Sequence, residues 1–118
     1  MGASCSDWDW WRSAEGSRSP AEKEWDAIPA WAQGEFTRLM ERWEQGDLQP
    51  VGDDCARWGQ RGVYYLRVRR GSNPFRLYFQ MRGTVAVILH VTYKNQQKID
   101  KATSKLLKKR ANSGSPSS

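Results

Sequence analysis

Arg67, Arg69 and Tyr65 recur at every second residue of Val63–Arg70, and Arg76 and Tyr78 do the same in Phe75–Arg82. A strand turns successive side chains to opposite faces, so each set points one way. Guanidinium groups grip phosphate through parallel N–H bonds, and tyrosine rings stack on unpaired bases. That mixture suits single-stranded nucleic acid better than a smooth duplex. Arginine and tyrosine are equally at home on a plain solvated strand face. The chain's one histidine, His90, lies near the end of a third strand, which Tyr93 and Lys94 close. Alone on an apolar strand, a histidine is more often a satisfied core residue than a proton carrier. Side chains emerge into a cleft at that strand end, where Lys94 with Lys98 and the strand arginines would make a concave positive site.

Charge points the same way. Residues 61–118 hold thirteen Lys and Arg against one acid, Asp100, whereas residues 1–60 hold six bases against twelve acids. The net charge of +6 therefore joins an acidic half to a strongly basic one. Like charges crowded together repel, and a segment that tolerates this suits a polyanion. Lys98, Lys101, Lys105 and Lys108 form a helical stripe, extended by Lys109 and Arg110, with almost no acids to pair them. Its ordinary alternative is a solvated lysine face. The cysteines Cys5 and Cys55 form no metal-ligand spacing, and no metal or other cofactor is expected. No apolar run is long enough for a membrane span, and Met1–Arg12 holds acids and tryptophans where a secretory signal would be apolar. A cytoplasmic protein without a membrane partner is the expectation.

These residues need a scaffold, and the sequence outlines one. Ser19, Pro20 and Glu22 carry the start signals of a helix that ends near Pro29. A second helix, about Ala30 to Gln45, repeats Phe36, Leu39, Met40 and Trp43 on one face and stops at Gly46. Gln49 to Gly62 reads as a loop. Three strands follow: Val63 to Arg70, Phe75 to Arg82, and Thr84 to Tyr93, the last apolar on both faces and so read as central. A closing helix, about Gln97 to Ala111, buries Ile99, Ala102, Leu106 and Leu107. Trp8, Trp10 and Trp11 read either as a short strand or as an extension packed on the body. The chain divides into a Trp-rich segment 1–18, one domain over 19–111, and a disordered tail 112–118.

This order of elements resembles the RelE/HigB superfamily of toxins from type II toxin–antitoxin systems, in its phage-derived HigB-like branch. The resemblance spans roughly Pro20 to Arg110. It is carried by Val63-Tyr64-Tyr65-Leu66-Arg67-Val68-Arg69, by Phe75-Arg76-Leu77-Tyr78-Phe79, by Val87 through Gln96, and by the basic helix Ala102 to Arg110. It implies an α+β, RelE-like fold: an N-terminal helical hairpin, an antiparallel meander of three or four strands, and a C-terminal basic helix. It also implies a toxin endoribonuclease (an mRNA interferase) that cuts messenger RNA on the ribosome and is silenced by a helix-turn-helix antitoxin.

The carry-over is residue by residue. Arg67 falls where such toxins keep a catalytic lysine or arginine, and Arg76 matches the arginine that holds the scissile phosphate. Lys94 matches the second of a post-strand lysine pair, but Tyr93 replaces the first and Asn95 follows. The closing helix lacks the tyrosine that some RelE toxins use, so Tyr93 or Tyr65 would substitute. The implied chemistry needs no metal: a ribose 2′-hydroxyl attacks its own phosphate, Arg67 and Arg76 stabilise the charge, and His90, Tyr93 or Lys94 moves the proton. Tyr65, Arg69, Tyr78 and Lys98, Lys101, Lys105 and Lys108 would bind RNA. The rivals are a relative that binds RNA or the ribosome without cutting, and a protein-interaction module, either of them phage-encoded.

Overall fold

Ser19 opens the first helix, α1 (Pro20–Ala27), as its N-cap: its Oγ accepts the Glu22 N–H at 3.3 Å, with proline in the first turn. In this computed structural model, residues 5–12, 19–59, 62–70, 73–92 and 101–112 are described. Pro29 pushes Ile28 into extended backbone and ends α1. The second helix, α2 (Ala30–Glu44), buries Ala32, Phe36, Leu39 and Trp43, the stripe its spacing predicts. Gly46, at φ +72°, lets the chain reverse, so that Gly46 and Asp47 return their N–H groups to the Trp43 and Arg42 carbonyls.

Among the described residues the sheet has five strands rather than three or four, and it is mixed. Its order is β1 (Asp7–Trp10), β5 (Val85–Thr92), β4 (Asn73–Arg82), β3 (Val63–Arg70), β2 (Cys55–Arg57). The tryptophan segment is thus a strand, running parallel to β5, while the other pairings are antiparallel. Short β2 lies inside the stretch expected to be loop. The middle strand is β4; β5 sits between β1 and β4, which still explains its apolar character on both sides. Helix α3 (Lys101–Ala111) closes the fold.

Both faces of the sheet are covered. Leu66, Val68, Phe75, Leu77, Phe79, Ala86, Ile88 and Val91 pack with the α1–α2 pair. Trp43 lies at the centre of that layer, its ring 4.9 Å from Phe79 and 5.0 Å from Tyr64. The opposite face, expected to be open, carries a second apolar cluster in which Leu107 of α3 meets Val63, Tyr78, Val87, Leu89 and Trp11. Within α3 only Leu107 is fully buried; Leu106 is half-buried and Ala102 exposed, and Ile99 lies outside the described residues. The helix therefore touches the sheet through a narrower stripe than its sequence suggested. Cys5 and Cys55 are buried free thiols, raised by desolvation to about 11 and about 12. No helix among the described residues is long and apolar enough to cross a membrane.

Candidate functional site

Strand register brings the strand candidates together. Arg67 lies directly opposite Arg76, Tyr65 opposite Tyr78, and Tyr78 opposite His90 on its other side. Arg76 also faces Thr92, so Arg76 and His90 are diagonal neighbours on one face of β4 and β5. Simple alternation along β5 would not give this. Phe79 pairs with Ile88 but Tyr78 pairs with His90, so Leu89 is one residue too many. This bulge shifts the phase of the strand. Val91 then enters the α1–α2 core, and His90 joins the side of Tyr78 and Arg76. Its ring stacks on Tyr78 at 6.1 Å, 19° between planes.

The open edge of β5 beyond β1 is the next feature. Trp11 still donates to the Ile88 carbonyl, and past that point no strand follows among the described residues. An edge of bare amide groups is costly to bury unpaired. Two side chains take it over: Glu24 of α1 accepts the Val91 N–H at 3.0 Å, and Arg110 of α3 donates to the Leu89 carbonyl at 2.7 Å. Glu24 also holds His90 Nδ1 at 2.9 Å and approaches Arg110 at 3.6 Å. Sequence reasoning passed over Glu24, since no local signal links it to a histidine sixty-six positions away. Burial lowers the Arg110 guanidinium from its ordinary value, a shift that Glu24 opposes. Glu24, His90 and Thr92 line a cleft of about 310 Å³ against Ala102, Thr103 and Leu106 of α3.

The arginines do not form one open patch. Arg76 is buried, 7% exposed, with its guanidinium 5.9 Å from the Tyr65 ring. Arg67 instead reaches Asp53 at 3.4 Å. With exposed Arg69 it borders a separate cleft of about 290 Å³, where Arg38 and Arg42 of α2 face Glu35, Asp53 and Asp54. Tyr78 is buried under α3 and unable to stack on a base without movement of that helix, while Tyr65 is half-buried. Lys101, Lys105 and Lys108 are exposed on α3, as is Lys109. Arg110 is not part of that stripe: it turns inward, over the Trp11 ring at 5.1 Å. Tyr93, Lys94 and Lys98 lie outside the described residues. Among the described residues no three His, Cys, Asp or Glu side chains converge on a point that would hold a metal ion.

Known proteins resemble this chain in sequence and in fold. The family model described as phage-derived protein Gp49-like matches residues 23–112. The chain is 32% identical over 99 residues to the probable endoribonuclease HigB1 of Mycobacterium tuberculosis, covering 80% of this chain and 73% of that one, in two strains alike. It belongs to the Gp49-like family of the RelE/HigB superfamily. The RelE/HigB fold is equally plain in solved structures. A free-state mutant of the E. coli toxin RelE aligns with a TM-score of 0.58 at 16% identity, over 95% of this chain and 97% of that one. A second form of isolated E. coli RelE gives 0.50 at 19% identity, over 86% and 95%. The RelE-like α+β architecture expected from the sequence is therefore the one observed.

Proposed function

We propose that this RelE/HigB-family protein is a toxin endoribonuclease that cuts messenger RNA on the ribosome, acts in the cytoplasm, and is held silent by a helix-turn-helix antitoxin. The relative named a probable endoribonuclease supports the activity class, and RelE supports the toxin class. The observation that carries the reading is the shared face of Arg76 and His90, with Arg67 directly across from Arg76. A phosphate bound at Arg76 would have the histidine within one nucleotide's reach. The ribose 2′-oxygen would attack that phosphate, leaving a cyclic phosphate and a free 5′-hydroxyl. Charge grows on the phosphate oxygens in the transition state, and a guanidinium in low-dielectric surroundings stabilises it more than one in water. Arg67, Tyr93 and Lys94 complete the proposed catalytic set. Tyr65, Arg69, Lys98, Lys101, Lys105 and Lys108 form the proposed RNA contacts, for which the exposed α3 lysines suit the phosphate backbone; Tyr78, enclosed beneath α3, is not among them.

One observation favours a second reading, RNA or ribosome binding without turnover: Arg76 is almost wholly enclosed. A cleavage assay on programmed ribosomes separates the two. The wild type is expected to release messenger fragments with cyclic phosphate and 5′-hydroxyl ends, and Arg76→Ala to cut about 10²-fold or more slowly. A wild type that binds ribosomes and releases no fragments establishes the second reading instead.

A further inference from the structure

Glu24 does more at His90 than cover a strand edge. One of its oxygens, Oε1, meets both His90 Nδ1 at 2.9 Å and the Val91 N–H at 3.0 Å, so the carboxylate is fixed to the backbone beside the ring it holds. Its other oxygen lies 3.6 Å from Arg110 Nη1, and Arg110 is itself anchored to the Leu89 carbonyl at 2.7 Å. An ionised carboxylate accepts hydrogen bonds and donates none, so Nδ1 must carry the hydrogen. The neutral ring then has its lone pair on Nε2. Tyr78 stacks on one face of the ring, and the side chain is 14% exposed. Among the described residues no other group hydrogen-bonds the imidazole, which borders the cleft shared with Thr92, Ala102 and Leu106.

We infer that Glu24 is the positioning residue for His90: it locks the Nδ1–H tautomer and the ring angle, so that Nε2 takes the proton of a ribose 2′-hydroxyl seated in this cleft. The inference rests on the cleavage reading and names the base within it. The 2′-O–H bond breaks as its proton passes to Nε2, the 2′-oxygen bonds to phosphorus, and the P–O5′ bond opens. The leaving 5′-oxygen takes a proton from water, and the imidazolium returns its own to solvent, so the protein ends as it began. A carboxylate that fixes the tautomer of a catalytic histidine is worth up to about 10⁴-fold in rate in serine proteases.

His90 is the chain's only histidine, so long-range proton–nitrogen NMR reports its tautomer without ambiguity. The test joins that spectrum to single-turnover cleavage on programmed ribosomes for wild type, Glu24→Ala, His90→Ala and the double variant, with urea melts confirming that each is folded. Glutamine would not serve, because the Val91 N–H holds its amide oxygen at the Oε1 position, where it still accepts from Nδ1; alanine removes the acceptor and leaves the Val91 N–H to water. The expected results are an Nδ1–H tautomer in the wild type and its loss in Glu24→Ala. Cleavage should fall about 10²–10⁴-fold in either single variant. The double variant should be no slower than His90→Ala. If Glu24→Ala slows the His90→Ala background as much as the wild type, Glu24 acts only on structure and the inference fails. It fails alone if the wild type cuts and Glu24→Ala cuts as fast. A wild type that leaves ribosome-bound RNA intact overturns the cleavage reading, and this inference with it.

Discussion

Replacing Arg110 by methionine tests whether α3 is held to the sheet by one polar clamp or by greasy contact alone. Methionine keeps most of the buried stem and removes the guanidinium. Three interactions go with it: the 2.7 Å bond to the Leu89 carbonyl, the 3.6 Å approach to Glu24, and the stacking over Trp11 at 5.1 Å. A hydrogen bond to a charged donor contributes about 1.5–3 kcal/mol, and a cation over an indole about 0.5–2 kcal/mol. Against these stands the desolvation of the guanidinium, the same burial that lowers its pKa. Removing a buried ion together with its partner is often neutral, but here the Leu89 carbonyl stays behind without its donor, and Glu24 without its cation. Because the terms share one side chain they do not add fully, and a net loss of about 2–3 kcal/mol is expected. For a chain of this size that lowers Tm by roughly 10 °C. Thermal and urea unfolding of wild type, Arg110→Met and Arg110→Lys measure it, with lysine expected between the two. If Arg110→Met is as stable as the wild type, the strand edge does not need its clamp and the reasoning is wrong.

Three further outcomes follow from the same contacts. Changing Lys101, Lys105 and Lys108 together to glutamine is expected to flatten the salt dependence of ribosome binding by about one unit per lysine, read from affinities at several salt concentrations; an unchanged slope removes α3 from the RNA surface. Trp43→Ala, at a fully buried ring against Tyr64 and Phe79, is expected to cost about 3–5 kcal/mol in urea unfolding, and a loss below 1 kcal/mol would contradict the packing described. Burial raises the Cys55 thiol from 9.0 to about 12, so the folded protein keeps a proton that the unfolded chain releases. The stability this confers is present below about pH 9 and lost as pH climbs toward 12, so Cys55→Ala should lose less stability between pH 8 and 10.5 than the wild type. Equal losses would assign the alkaline sensitivity to other groups.

Local chemistry determined more of this protein than distant contact did. Ser19 and Pro20 start α1, Pro29 separates it from α2, and Gly46 ends α2, because caps and breakers act within a turn of the backbone. The alternation in Val63–Arg70 and in Phe75–Arg82 likewise put Tyr65 with Arg67 and Arg76 with Tyr78, since period two is a property of the strand itself. Three things lay beyond that reach. The tryptophans at 8 and 10 became a parallel edge strand only because β5 offered them a partner. The arginine face was closed by α3, whose docking through Leu107 depends on Val63, Tyr78 and Leu89 arriving from three different strands. The bulge at Leu89 moved His90 out of the phase its sequence position implies and put it beside Glu24 and Arg110. Periodicity describes a strand in isolation; the register between strands, and the side chain that reaches an unpaired edge, are set by pairing across the whole chain.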